Sequence, residues 1–467
     1  MDTMTAKTKD SPFSWRFVAP LYMGSTLNPI NSSMIATALV PIATHMHVSV
    51  AQVTILVTVL YLASAIAQPT SGKLAAELGP RRIFLVGILL IFLGGLLGGF
   101  GHNLLMLILS RILIGIGTST AYPSAMLLIR RRAEWSGMQK PPGSVLGGLQ
   151  IAGVVTSALG LPIGGVLVDA WGWRTVFFVN IPFSLIALVM TMLWIPRDVP
   201  MKGAQSVRTM VTRIDIPGIV GFALTIGSLM FFLFSLPHAD WVALGTSIVL
   251  CGLLILWESK AKNPFIDVRM LASNLALSRT YVRFAAMTLC MYTVLYGITE
   301  WMGAVRSASA LEAGLLILPM SIVSALVVGP ISKRNLVRGP LMVAAGSSIV
   351  SSIGVLFLTM RSPVVWIILI TCIFGVMMGA ASSGNQTALY MQVSTEHMGT
   401  ASGLLRTFGY IGSIASSAFI SVVFHRSVSD SGLHHIAVMM IAVSIIAFVI
   451  TIADPRLQTP PKQVNMP

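Results

Sequence analysis

The chain has 467 residues, 55% of them hydrophobic and only 10% charged, with a mean hydropathy of +0.85. A soluble domain is about a quarter charged, so an ordinary cytosolic enzyme, a disordered chain and a disulfide scaffold are excluded. The formal charge of +15 would point to nucleic acid only if the basic residues made one face; they lie instead in short loops between apolar runs. Cys251, Cys290 and Cys372 sit far apart inside such runs, fit no metal spacing and cannot all pair. This is the composition of a polytopic membrane protein.

A helix needs about 20 apolar residues to cross the hydrocarbon. In chain order the sequence predicts fourteen such runs, at 17–42, 53–75, 82–101, 104–128, 145–168, 174–195, 216–236, 240–257, 284–304, 311–331, 340–360, 364–387, 400–424 and 434–453. The first is too long for a cleavable signal and lacks a small-residue cleavage site. It contains Pro29, which removes a helix hydrogen bond. Freed backbone at this depth is tolerated only where it is repacked or lines a cavity. Asn28, Asn31, Ser32 and Ser33 therefore form a polar patch near mid-membrane, expected either to contact substrate or to hydrogen-bond between helices.

Further along, Arg111 lies roughly 10 Å from the outer end of span 4 at 1.5 Å per residue. A guanidinium there must face a partner or water, so it reads as a cavity-lining cation or as an anchor on carbonyls beside Pro29. Asp169 ends span 5 on the outer side. Glu300, in span 9, is the carboxylate set deepest in any run, and a desolvated carboxyl there is suited to picking up protons from outside. Its alternative is an interfacial residue wetted at the helix end beside Trp301. Glu312 reads as a helix N-terminal charge. Arg406 is expected to snorkel toward the cytoplasm. The pairs Gly94/Gly98, Gly160/Gly164 and Gly375/Gly379 are spaced for close helix contact.

An even number of spans puts both termini on one side, and the lysines and arginines choose it. With the N-terminus cytoplasmic, 24 of the 30 lie inside; Arg174, Arg306, Arg361 and Arg426 lie outside, and Arg111 and Arg406 fall within spans. This asymmetry is the positive-inside pattern. The chain divides as a tail (1–14), six spans (15–196), a cytoplasmic linker with two additional spans (197–283), six more spans (284–453) and a second tail (454–467). Gly72-Lys-Leu-Ala-Ala-Glu-Leu-Gly-Pro-Arg-Arg82 follows the second span, and Gly329-Pro-Ile-Ser-Lys-Arg-Asn-Leu-Val-Arg338 follows the second span of the last six, a weak internal echo. Paired six-helix halves with a site between them are a transporter plan.

The motifs strengthen that reading. The loop after span 2, with Gly72, Leu74, Ala75, Gly79, Arg81 and Arg82, resembles the G-x-L-A-D-R-x-G-R-R element of the major facilitator superfamily. Arg111-Ile-Leu-Ile-Gly115-Ile-Gly117 is similar to R-x-x-Q-G-x-G, and Gly160-Leu-Pro162-Ile-Gly164-Gly165 to the antiporter G-P-x-x-G-G element. Gly172-Trp-Arg-Thr-Val-Phe-Phe-Val-Asn180-Ile-Pro182 resembles the G-W-R-W-x-F-x-x-N-x-P run of the fourteen-helix drug:proton antiporter branch. Ser309-Ala-Leu-Glu-Ala-Gly314 and Gly399-Thr-Ala-Ser-Gly403 match two further elements. Ala76 stands where the family has an acid, with Glu77 one place later, and Asn31 stands where the family has Asp.

The resemblance implies an all-α membrane protein of major-facilitator type, fourteen transmembrane helices arranged as six, two and six. It implies export of small amphipathic compounds by alternating access, with Glu300, Asp169 and Arg111 as proton-coupling candidates and the glycine and arginine motifs as conformational elements. A facilitator or metabolite exporter without proton coupling is the alternative that Asn31 encourages. An intramembrane enzyme finds no support, since H-E-x-x-H, G-x-S-x-G and a pair of mid-span aspartates are missing from the sequence. The expected partners are a small-molecule substrate, protons and membrane lipid, without nucleic acid, metal or cofactor. The expected state is a monomer in a bacterial inner membrane.

Overall fold

A computed structural model describes residues 12–138, 140–198, 214–308, 310–334, 336–425 and 427–457. Lys7, Lys9, Lys202, Arg208, Arg213, Arg426 and Lys462 of the charge census lie outside the described residues, with most of both tails and of the first linker. Among the described residues there are helices and connections and no strand. Each predicted apolar run coincides with a helical rod.

The rods of the first half are α1 (Trp15–Met34, continued through a 3-10 turn, Ile35–Ala38, into Leu39–Met46), α2 (Ile55–Leu78), α3 (Pro80–Gly99), α4 (Leu104–Trp135, in two segments), α5 (Gly143–Trp171) and α6 (Thr175–Trp194). The inserted pair is α7 (Ile216–Ser235) and α8 (Trp241–Glu258). The last half is α9 (Leu275–Arg306, with a π turn at Val294–Ile298), α10 (Ala310–Lys333), α11 (Arg338–Leu356), α12 (Val364–Gln392), α13 (Met398–Phe424) and α14 (Asp430–Ile452).

Twelve of these rods are long and apolar enough to cross a membrane, and α5, bent by 45° between Ser157 and Pro162, makes thirteen. The remaining rod, α1, falls short on composition because Asn28, Asn31, Ser32, Ser33 and two prolines dilute its apolar residues. Helix α9 begins at Leu275, well before the predicted run 284–304. Its charged first turns are helical because Arg279 and Arg283 reach Asp454 just beyond α14, at 3.6 and 3.9 Å. Arg283, counted as a loop cation by the sequence, is only 1% exposed.

Packing repeats between the halves. Within each six, the first rod lies on the fifth and sixth, the second on the fourth, and the third on the fourth and sixth. Between the halves, α2 packs on α13 and α5 on α10, so the second rod of each six meets the fifth of the other. A pseudo-two-fold relation of this kind needs only that both halves bury the same stripes. The inserted pair packs on itself, and α7 touches α2 and α13. One apolar cluster, including Phe17, Leu146, Phe222, Phe265, Tyr281 and Leu405, joins both halves and the insert.

Candidate functional site

Antiparallel rods place Pro12 and Asp454 at one end of the bundle, called here the tail end: Pro12 O accepts from Arg132 at the foot of α4, and Asp454 meets the foot of α9. There the seam between halves is closed by backbone contact. A Cβ on Gly72 would collide with the carbonyl of Gly399, and one on Gly403 would collide with Gln68 O and Pro69. Glycine is required at these points because α2 and α13 cross with no room for a side chain. Beside this crossing, Arg130 donates to Tyr390 O (3.1 Å), Val393 O (2.6 Å) and Thr395 Oγ1 (2.8 Å), so α4 is clamped to the end of α12.

The loop motif braces the same end. Asp198, just past α6, accepts from the backbone N–H groups of Arg81 (3.2 Å) and Arg82 (2.9 Å), capping the start of α3. The negative carboxylate suits the helix N-terminus. Gly79 turns the chain there with φ +104. Arg81 donates to Met192 O, Arg131 to Ala76 O, and Lys73 to Pro264 O. Glu77 is half-buried among Arg131, Glu134, Asp198 and Thr395 without forming an ion pair among the described residues.

About 16 Å of α13, from Gly399 to Tyr410 at 1.5 Å per residue, carries the seam toward mid-depth. Tyr122 of α4 donates to Gln386 Oε1, which also accepts from Gln150 of α5 at 2.8 Å. Ser382 donates to Gln150 Oε1 at 2.7 Å. Arg406 lays its guanidinium over the Tyr122 ring, 4.0 Å from the centroid. Higher still, Tyr410 donates to Asn28 Oδ1 (2.7 Å), Gln68 donates to Tyr410 (3.4 Å), and the hydroxyls of Tyr61 and Tyr296 are 3.5 Å apart. The result is a belt of phenols and carboxamides with one cation. Such a belt offers aromatic faces, adaptable hydrogen bonds and a guanidinium to a ligand, with no carboxylate among the residues named.

The residues singled out by the sequence divide. Asn28 reaches the seam, where it also donates to Ser64 and Thr118. Asn31, 1% exposed, pairs reciprocally with Asn180 of α6 at 2.6 and 3.0 Å, inside the first half. Ser32 and Ser33 donate back to carbonyls of their own helix. Arg111, 2% exposed, donates to Leu56 O and Asn31 O, both at 3.1 Å, tying α4 to α2 and α1. Glu300 and Asp169 are exposed, and neither forms an ion pair with Arg111. Trp301, next to Glu300, is buried and donates to Asp430. Gly160 and Gly164 let α5 lie against Ser33, Met34 and Thr37 of α1; Pro162 begins the outer segment of α5, and Gly165 faces open space. Arg406 does not snorkel: its stacking on Tyr122 holds it at the seam. Tyr61, Tyr122, Gln150, Gln386 and Tyr410 carried no signal of periodicity or spacing that would have found them.

Residues 21–417 match the sequence profile described as Major Facilitator Superfamily. The transporter YwoD of Bacillus subtilis, described as an uncharacterized member of that type, is 33% identical over 91% of this chain and 93% of its own length. The tetracenomycin C resistance and export protein of Streptomyces glaucescens is 28% identical over 89% of this chain and 77% of its own. The solved human organic anion transporter MFSD10 has a similar fold, with a TM-score of 0.65 over 93% of this chain and 99% of that one, at 13% identity. The chain is a member of the major facilitator superfamily, and so a multi-pass membrane transporter rather than an enzyme.

Proposed function

We propose that this transporter exports small amphipathic compounds across a bacterial inner membrane by alternating access, driven by proton antiport. The observation that carries the reading is the seam: two six-rod bundles touch glycine to glycine at the tail end, while tyrosines, glutamines, Asn28 and Arg406 meet between them at mid-depth. A carrier that rocks two rigid halves about a central site needs both features. The export direction is motivated by relatives such as the tetracenomycin C export protein.

In this reading α1 is the fourteenth span, its polar residues covered by α5 and α6, and both tails are cytoplasmic because the basic residues gather at their end. The five divisions expected from the sequence are then two bundles, an insert and two tails. One chain encloses the pathway, so the unit is a monomer. Glu300 and Asp169 stay the candidates for carrying protons, being accessible, and Arg111 acts through the position of α4 against α1. The test is uptake of a fluorescent substrate into inverted vesicles under an imposed pH gradient. Uptake should cease when the gradient is collapsed and should fall in Glu300→Gln or Asp169→Asn.

A second reading, a facilitator or metabolite exporter without proton coupling, is favoured by two observations: the charged side chain of the mid-depth belt is the cation Arg406, and Asn31 occupies the family's acidic position. Uptake that persists unchanged without the gradient, in the wild type and in both variants, selects it.

A further inference from the structure

The inserted helices contain a pair of acids that transport as proposed above does not use. Asp215 precedes α7 in a left-handed conformation (φ +56) and is 6% exposed. Its Oδ1 accepts from Gly218 N at 3.2 Å and from the indole of Trp257 at 3.0 Å; its Oδ2 accepts from Phe265 N at 3.1 Å. Glu258 closes α8 and is 1% exposed, yet neither of its oxygens has a hydrogen-bond partner among the described residues. Both acids crowd Gly218: Asp215 Oδ2 and Glu258 Oε1 each lie within 2.5 Å of the point where a Cβ would stand. The two oxygens are therefore no more than ~5 Å apart, twice that distance. A residue with a side chain at 218 would fill the space they share.

Among the described residues, the cations near the two carboxylates are engaged elsewhere: Arg269 donates to Ser259 O, the carbonyl next to Glu258, and Arg213 lies outside the described residues. On α2, the amine of Lys73 is given to Pro264 O at 3.0 Å, and Glu77 lies a turn further on. In the connection after α8, Lys260 and Lys262 are exposed, and Asp267 caps the short helix Val268–Ser273 through Met270 N. On α13, Arg406 is stacked on Tyr122. Neither acid has an ion pair with a described lysine, arginine or histidine. The walls are apolar, with Phe222 and Phe265 in edge contact at 5.5 Å.

We propose that Asp215 and Glu258 bind one proton between them, forming a proton site at the foot of the insert, separate from the seam. Two like charges this close and this dry do not both persist. The three N–H donors on Asp215 favour its ionised form, so the proton stays on Glu258, whose O–H then donates to the Asp215 carboxylate. That bond satisfies the hydroxyl oxygen of Glu258 and draws together the start of α7, the end of α8 and the Pro264–Ile266 segment that Lys73 holds against α2. Loss of the proton to water leaves two facing carboxylates and loosens the insert from the tail end of α2. The proposal rests on this geometry alone and is independent of what is transported or in which direction.

The test is thermal melting of the full-length protein in nanodiscs across pH. A proton held in the folded state and not in the unfolded one gives stability that is fully present below about pH 4.3, the ordinary value of a free glutamate, and is lost as pH rises above it until the folded site has released its proton. The wild type should show this fall, and Glu258→Gln, which keeps a donor and removes the charge, should melt at a nearly constant temperature over the same window. Infrared spectra give a second readout: a protonated carboxyl C=O band, shifted in D2O, present in the wild type at neutral pH and missing from Glu258→Gln. Asp215→Asn should make the same band titrate at lower pH, which keeps the test usable if Glu258→Gln does not fold. Superimposable pH profiles of wild type and Glu258→Gln, or a wild type without the band, overturn the proposal. Stabilisation of the wild type by added sodium or potassium at high pH, absent in Glu258→Gln, also overturns it, by making the occupant a metal cation.

Discussion

Arg406 on α13 and Tyr122 on α4 make a cation–π contact across the seam, guanidinium to ring centroid 4.0 Å. This places a fixed positive charge where the proposed ligand sits, beside Gln386 and Gln150 and without a named carboxylate. A partly desolvated contact of this type contributes about 0.5–2 kcal/mol, and a ligand anion would compete for the same guanidinium. Arg406→Gln should therefore weaken transport of an anionic amphipath by roughly two- to thirty-fold, the range those energies imply, and leave a matched cationic one unchanged or improved. Paired anionic and cationic dyes in vesicle uptake measure this. Equal loss for both would make Arg406 a strut between halves and not a selector.

The glycine crossing makes a different kind of prediction. A Cβ on Gly72 would overlap the Gly399 carbonyl, and backbone cannot yield as a flexible side chain can. Gly72→Val should leave a folded protein whose tail end cannot close. Transport should drop by about tenfold or more, since alternation needs both closed states. A cysteine at Thr395, beside Arg130 and Glu134, should be labelled faster from the tail side in Gly72→Val than in the background protein. Unchanged labelling with lost transport would point to misfolding instead.

The rods were legible because hydrocarbon imposes a length and a composition, and each predicted run coincides with a helix. The run at 17–42 was readable too, although its Asn and Ser residues leave α1 less apolar than the twelve clear spans, and only the packing shows α5 and α6 covering them. The start of α9 was hidden: Arg279 and Arg283 look like loop residues until Asp454, distant in sequence, is brought beside them. The tail-end glycines were readable as motifs, since tight backbone contact tolerates only one residue type. The seam was not. Tyr122 and Gln386 are 264 positions apart, and a tyrosine or glutamine inside an apolar run carries no periodic mark of which helix it will face. Asn180 stood in a recognisable motif, yet nothing local named Asn31 as its partner.

That asparagine pair yields a third prediction. Each amide donates to the other's carbonyl, and both side chains are buried. Interhelical hydrogen bonds of this kind contribute about 0.6 kcal/mol on average and up to about 1.7 kcal/mol. Asn31→Ala and Asn180→Ala should each lower the midpoint of denaturation in detergent by a corresponding amount, and the double variant should cost less than the sum, because one interaction is lost twice. Additive losses would show that each asparagine is held by its own helix carbonyls, Leu27 O and Val176 O, rather than by its partner.

The Arg283–Asp454 pair should be the most sensitive point of the last half. Asp454 is fully buried and Arg283 is 1% exposed; Arg283 also donates to Asn385 Oδ1 and Thr280 Oγ1, both at 3.0 Å, so one guanidinium joins α9, α12 and the segment after α14. A buried pair need not stabilise relative to an apolar replacement, but removing one member leaves a desolvated charge and costs about 3–5 kcal/mol. Asp454→Asn strands Arg283, although Asn385 and Thr280 soften the effect, so the loss should fall at the lower end of that range. Arg283→Leu leaves Asp454 with Arg279, which is 35% exposed and able to compensate in part. The double replacement Arg283→Leu with Asp454→Leu removes both charges and should recover much of the stability lost in either single variant. Melting of the three variants against wild type measures this order. If Asp454→Asn melts with the wild type, water reaches the pair, and the early start of α9 has to be explained by its apolar contacts alone.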